Sequence, residues 1–454
     1  LILKRLVLSF LFLLGLPFFY GVQGAQIQEG SFIRDAEIEA TLKEFIEPIF
    51  KAAGLDAKRL KLFLIASPEI NAAASADFSI FVNTGLITKA SCAEEVIGVL
   101  AHETGHIAGG HLIHRADSAK KSTMAAMAAM ALGAAAIVAG SPDAGVGIIM
   151  GGQSMAQNTF MHHSRGQEAA ADQAALKYLN ATQIPAQGFY DFMKLLAKQE
   201  YLSADRQDVY VRSHPLSSDR LELMKTNLEK DKHKNYQVSA AVQTKFKRIR
   251  AKIDGFMLPS KAVLMKYPTR DTSPEARYAR AIAHFRDRDT AKALDLTEQL
   301  ISEYPQDPYY YDLKGQILFE TGSPEKAYVA YQKALSLSPK STLIRIAMVQ
   351  AKLESQNKGV LDDAIDHLKK AQQEEPENPG IWQLLAVAYG HDGNVGKTAL
   401  ALAEKAFLVE DYEQAIQQGK RAMHILKDSP EKRRAVEIVE IALIEKKKNQ
   451  KFYS

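Results

Sequence analysis

Residues 102–106 read His-Glu-Thr-Gly-His, and this short run constrains the chain more than any other feature. On an α-helix, positions four apart lie on one face. His102 and His106 can therefore aim both imidazoles at one ion, for which zinc is the usual occupant. Glu103 then sits beside the first ligand, where its carboxylate can take a proton from an attacking water. The approach to the motif has helical character as well. Glu94, Glu95, Val96, Ile97, Val99, Leu100 and Ala101 run into it without a proline.

A catalytic zinc takes three protein ligands and keeps one position open. The third ligand separates the known plans. In the metzincin plan a Gly follows the second His by three residues and a His by six. Gly109 fits, but position 112 is Leu, while His111 is one residue early and His114 two residues late. The other plan takes a Glu from a downstream helix. Residues 164–179 are rich in Ala and favour a helix. Glu168 and Asp172 share one face of it. Glu168 can ligate the ion, and Asp172 can accept the spare ring N–H of a ligating His, which fixes the tautomer.

His102-Glu103-x-x-His106 followed by Glu168-x-x-Ala171-Asp172 resembles the M48 family of zinc peptidases, which are gluzincins. Asn71-Ala72-Ala73 and Ile80-Phe81-Val82-Asn83-Thr84-Gly85-Leu86 are similar to the strand and turn that lead to that family's metal helix. His214-Pro215-Leu216-Ser217-Ser218-Asp219-Arg220 is similar to its His-Pro-x-x-x-x-Arg element. The resemblance covers about residues 35–225. It departs from the family in the alanines around Glu168 and in Ala73-Ala74-Ser75-Ala76, and neither stretch is a ligand position. The resemblance implies one zinc ion on His102, His106 and Glu168, with Glu103 as general base. His214 precedes Pro215, which favours an extended segment able to reach the ion. Two roles stay open for it: a hydrogen bond to the tetrahedral oxyanion, or a fourth ligand that holds the site latent. The second is preferred, because a promiscuous protease among folding intermediates benefits from latency. Arg220 either anchors this loop or aids the oxyanion.

The start of the chain bears on compartment. Lys4 and Arg5 precede an apolar run over 6–20, and Val22-Gln23-Gly24 offers small residues before Ala25. Residues 1–24 are expected to be a cleaved secretory signal peptide rather than an anchor. The resemblance implies that the destination is the periplasm. The formal charge of +4 falls to +2 once Lys4 and Arg5 are removed, so no nucleic-acid partner is expected. Lys446-Lys447-Lys448 reads as a solvated basic helix end, with peripheral contact to an anionic membrane surface as the lesser reading. Cys92 is the single cysteine and reads as a buried small residue, not a catalytic thiol. Between the motifs, residues 122–157 are dominated by Ala, Met and Gly. A helical hairpin or lid over the cleft and a plain buried hairpin are both expected readings, with lipid contact third.

The second half repeats. Pro305 and Pro339 lie 34 residues apart, and Tyr311, Gly315, Leu318, Ala327, Tyr331 and Ala334 occupy the large, Gly, large, Ala, aromatic and Ala positions of a tetratricopeptide repeat. Ala293 marks the preceding unit. Ala364, Ala371 and Pro376 mark the next, after a three-residue insertion near Asn357–Val360. Trp382 and Tyr389, then Ala415 and Ala422, continue the series. About four repeats are expected to form an α-solenoid that binds peptides or protein surfaces.

The expected chain is mainly α. Residues 25–237 form an α+β protease domain of gluzincin type with a small sheet, 238–273 a helical connector and linker, and 274–454 the repeats. A substrate strand is expected to pair with an edge strand near Phe78–Asn83. The expected activity is ATP-independent hydrolysis of misfolded or misassembled envelope and outer-membrane proteins. The resemblance implies the β-barrel assembly machinery, or a barrel precursor, as the partner of the repeats. The alternative is a chaperone-like assembly factor whose protease site is mostly latent.

Overall fold

The computed structural model describes residues 28–111, 165–199, 206–233, 236–355 and 361–453, together with Met127, Met130 and Met150. The expected signal peptide and nearly all of 122–157 lie outside the described residues. The three methionines of that segment are exposed. Among the described residues, no helix is long and apolar enough to cross a membrane. The chain divides into two compact units, Ile27–Leu258 and the part from Pro259 onward.

The first unit packs helices on a four-stranded sheet. Strands β1 (Phe32–Ile33), β2 (Lys61–Ile65), β3 (Ala72–Ala74) and β4 (Ser79–Asn83) lie in the order β1-β2-β4-β3. Strands β2 and β4 run parallel, with Phe63 opposite Phe81. Strands β1 and β3 are antiparallel to their neighbours. Side chains alternate across a strand. Leu64, Ile80 and Val82 therefore enter the core, while Phe32, Phe63 and Phe81 cluster on the opposite face, the last two stacked with centroids 5.1 Å apart.

The order corrects one expectation. Strand β4, which includes most of Phe78–Asn83, is interior and flanked by β2 and β3; the edge beside it is β3. Its buried, alternating Val and Ile mark β4 as a strand, but nothing local distinguishes an interior strand from an edge.

The first helix, Ala36–Ala52, starts at Asp35, whose Oδ1 accepts from the backbone N–H groups of Glu37 and Ile38; losing such a cap costs about 1 kcal/mol. Its Phe45, Ile46, Ile49 and Phe50 pack into one core with Val96, Val99 and Leu100 of the helix Ala93–Ala108. Phe189, Phe192 and Met193 of the helix Gln187–Ala197 close that core from another side.

The helix Ala240–Met257, expected as connector, belongs to this same unit. Phe246, Ile249 and Ile253 join the core. Its charged face meets the start of the chain. The buried Lys252 ammonium lies 2.7 Å from Asp35 Oδ2 and 3.3 Å from Glu37 Oε2, and Arg248 Nε donates to Glu37 Oε1 at 2.6 Å. Removing one partner of such a buried set strands the others without compensation.

The second unit is helical. After Ser260–Lys266, ten helices among the described residues form five successive hairpins, beginning with Pro274–Arg286 and Thr290–Glu303 and ending with Tyr412–Ile425 and Pro430–Tyr453. That is one hairpin more than about four. Helices starting at Pro274, Pro308 and Thr342 keep the 34-residue spacing. The next starts at Pro379, three residues later than that spacing, as the insertion requires. Ala293, Ala327, Ala334, Ala364, Ala371, Ala415 and Ala422 are fully buried, because small side chains let paired helices approach and each hairpin buries its apolar face against the next.

Candidate metal centre

The motif helix Ala93–Ala108 is buried along its middle, from Val96 to His106. Cys92 precedes it as N-cap residue, and burial pushes its thiol up to about 12. His102 and His106 face the same side, with Nε2 atoms 3.0 Å apart. A second helix, described over 165–181, brings in Glu168. Its Oε2 lies 3.3 Å from His102 Nε2 and its Oε1 3.5 Å from His106 Nε2. The two helices can approach this closely because residue 105 is Gly. A Cβ there would lie 2.9 Å from the Ala171 carbonyl oxygen.

His214 follows the short helix Val209–Ser213 and places Nδ1 3.0 Å from Glu168 Oε2. One ligand atom from each of His102, His106, Glu168 and His214 lies within 4.8 Å of the others. All four residues are at most 6% exposed. Among the described residues, His111 is outside this set. His114 itself lies outside the described residues.

Glu103 is buried beside the cluster, with Oε1 3.6 Å from His214 Nε2. Its carboxylate accepts the backbone N–H of Ala74, in the edge strand β3. Oε1 is a buried atom without a hydrogen-bond partner among the described residues. An orphaned buried carboxylate oxygen calls for an unseen partner such as an ion or water. Three imidazoles and a carboxylate are the donor types that zinc takes, so the residues present fit a zinc ion.

Asp172 stands one turn beyond Glu168. Its Oδ1 lies 2.9 Å from His102 Nδ1. Arg220 grips both of its oxygens, Nε at 2.6 Å and Nη2 at 2.9 Å, and donates through Nη1 to the Pro215 carbonyl. Two of the Arg220 donors are thus spent on Asp172 and a third on the loop that carries His214. Arg220 also lies 3.4 Å from Glu168 Oε2.

Two residues unmarked in the sequence, Tyr210 and Asp208, complete the surroundings with His111, which the sequence offered only as a misplaced ligand. Tyr210 is buried, with its ring stacked on His214 at 4.6 Å. Asp208 accepts from the Ile70 N–H at 2.9 Å, while the Tyr210 N–H donates to the Ile70 carbonyl. These two bonds tie the His214 segment to the residues just before β3. His111 Nδ1 lies 3.2 Å from His106 Nδ1. A tyrosine four residues before a sequence-marked histidine was the only available signal for the first. For Asp208 there was none beyond residue type.

The electrostatics follow from burial and charge proximity. Burial works against charging His102, yet Asp172 and Glu168 outweigh it and raise the imidazole to about 9. Burial lowers His106 to about 3. Burial raises Glu103, against the partial opposition of His214 and His102. Glu168 and Asp172 are buried too, but hydrogen bonds from the histidines, and from Arg220 to Asp172, hold both carboxyls below their usual range.

Residues 34–227 match the family profile described as Peptidase family M48, and residues 269–418 match one described as Tetratricopeptide repeat. The chain is 25% identical over 392 residues to the putative beta-barrel assembly-enhancing protease of Vibrio cholerae serotype O1, spanning 84% of this chain and 79% of that protein. It is 21% identical over 359 residues to the beta-barrel assembly-enhancing protease of Yersinia pestis, spanning 78% and 72%. The protein of that name from Escherichia coli K12 is 22% identical over 361 residues, again 78% and 72%.

Proposed function

We propose that this chain, a metallopeptidase with an M48 domain ahead of tetratricopeptide repeats, is a zinc-dependent endopeptidase of misfolded or misassembled envelope proteins. The observation that carries this reading is the buried set of four ligand atoms with the unpartnered Glu103 oxygen beside it. His102, His106 and Glu168 would hold one zinc ion. When bound, that ion supplies Lewis acidity, polarising a water and the scissile carbonyl.

The remaining steps belong to the chain's own side chains. Glu103 takes the proton of the attacking water and passes it to the leaving amine. Burial raises its carboxyl above its ordinary value, and a positioned carboxylate can both accept and return a proton. Asp172 accepts the Nδ1–H of His102, which leaves the Nε2 lone pair facing the centre. Arg220 holds Asp172 and the Pro215 carbonyl in place. The substrate strand pairs with β3, the edge that also reaches Glu103 through Ala74. Main-chain pairing of this kind reads extended chains with little sequence preference, which suits quality control.

His214 favours a second, compatible reading. Its nitrogen stands among the ligand atoms, as a fourth ligand that excludes water would. A chain held in that state acts as an assembly factor with a mostly latent protease. His214→Ala separates the roles proposed for this residue. A rise in casein cleavage, with self-cleavage, is expected if His214 occupies the open position; a fall would assign it to the oxyanion instead. Cleavage and zinc affinity both equal to wild type would remove His214 from the mechanism.

The similarity to proteins named for β-barrel assembly supports a partner in that machinery or a barrel precursor, and the repeats supply binding surface. The composition of residues 1–24 supports export to the periplasm. A chain ending at Leu258 is expected to keep zinc and cleave unstructured peptides while losing partner capture. Co-purification of the two forms with the assembly machinery tests this, and equal capture by both would contradict it.

A further inference from the structure

We propose that His111 is a positioning residue of the metal centre: it accepts the Nδ1–H of His106 and thereby fixes the tautomer and ring angle with which His106 presents Nε2. The inference rests on the reading of His102, His106 and Glu168 as a metal site.

The orientation of His106 sets the requirement. Its Nε2 faces the cluster, 3.0 Å from His102 Nε2 and 3.5 Å from Glu168 Oε1. A ligating nitrogen offers a lone pair, so the ring proton must sit on the other nitrogen. That nitrogen, Nδ1, points out of the cluster and meets His111 Nδ1 at 3.2 Å. The two rings are nearly perpendicular, at 81°, which lets the His106 N–H run toward the lone pair in the His111 ring plane. His111 must then carry its own proton on Nε2. His102 has the same need, and Asp172 Oδ1 stands 2.9 Å from its Nδ1. Each histidine of the motif thus has its own acceptor, a carboxylate for one and an imidazole for the other.

A second observation shows that the His111 ring has a built seat. The motif helix ends at Ala108, with Gly109 as its cap residue and Gly110 in the left-handed region at φ 63°. This turn folds the chain back so that residue 111 returns beside the last turn of the helix. A Cβ on Gly109 would lie 2.4 Å from His111 Nε2 and 2.8 Å from Cδ2 and Cε1. The ring therefore lies flat against bare backbone, in space that any side chain at 109 would occupy. Gly109 is the residue that admits the ring, and the ring is what reaches His106.

The test reads zinc affinity of the full chain by competition with a chromogenic chelator. His111→Ala is expected to weaken zinc binding about 10–100-fold, the range for a lost hydrogen-bond partner of a ligand. His111→Asn is expected to restore most of it, because Asn Oδ1 takes nearly the place of the His Nδ1 lone pair. Gly109→Ala is expected to weaken binding in the His111 chain and to add nothing in the His111→Ala chain, since the ring it displaces is already gone. Wild-type affinity in His111→Ala would overturn the proposal. So would an Asn variant as weak as the Ala variant, or a Gly109→Ala loss that persists without the ring. Loss of the metal as complete as in Glu168→Ala would make His111 a ligand, not a positioning residue. A wild-type chain that binds no zinc would overturn the metal-site reading itself.

Discussion

Glu103→Gln is expected to lower hydrolysis of an unfolded protein by about 10²–10⁴-fold, the usual contribution of a positioned acid–base group, while zinc content stays at the wild-type value. The amide keeps the size of the side chain but cannot take a proton at neutral pH. None of the four converging ligand atoms belongs to Glu103, so the metal has no reason to leave. Glu103 is 1% exposed and its carboxylate accepts the Ala74 N–H. Gln can keep that bond through its carbonyl oxygen, so the edge strand should stay in place. Elemental analysis and a casein cleavage rate on the same preparation check both halves. Cleavage at the wild-type rate would remove Glu103 from the mechanism.

Glu168→Ala is expected to have the largest effect on the metal. The carboxylate contacts all three histidines, at 3.3 Å, 3.5 Å and 3.0 Å. Its loss removes both a ligand and the charge that balances the ion. Zinc affinity should fall by more than the ~10–100-fold expected for Asp172→Asn, which removes only an outer partner. The ranking Glu168→Ala beyond Asp172→Asn is the informative result, read by chelator competition. The reverse ranking would move the third ligand from Glu168 to another residue.

The parts of this site legible in the sequence are those whose geometry is set by chain connectivity. His102, Glu103 and His106 share a helix, so a spacing in the sequence is a spacing in space. The same holds for Glu168 and Asp172. His214 and Arg220 were legible only as a matching motif, since the loop that delivers them depends on Asp208 and Tyr210 binding the two sides of Ile70. No local pattern announces such a long-range clamp. His111 does not fit a ligand spacing, and its contact with His106 depends on a turn at Gly109–Gly110 that spacing alone does not give.

At the level of fold, the repeat period was legible because each hairpin repeats one packing problem. The matched repeat profile spans residues 269–418, and the last helix, Pro430–Tyr453, lies beyond it. The helix Ala240–Met257 was visible as a helix, but not its home. Its attachment comes from Lys252 and Arg248 meeting Asp35 and Glu37, more than two hundred positions earlier in the chain.

In the proposed function, peptide hydrolysis by this chain depends on a zinc ion held by His102, His106 and Glu168. The most direct measurement follows cleavage of an unfolded protein by the wild-type and His214→Ala chains as isolated, after chelation, and after zinc is restored. Chelation is expected to abolish cleavage in both chains, and zinc to restore it. Cleavage that persists in a chain shown by elemental analysis to be metal-free would contradict it.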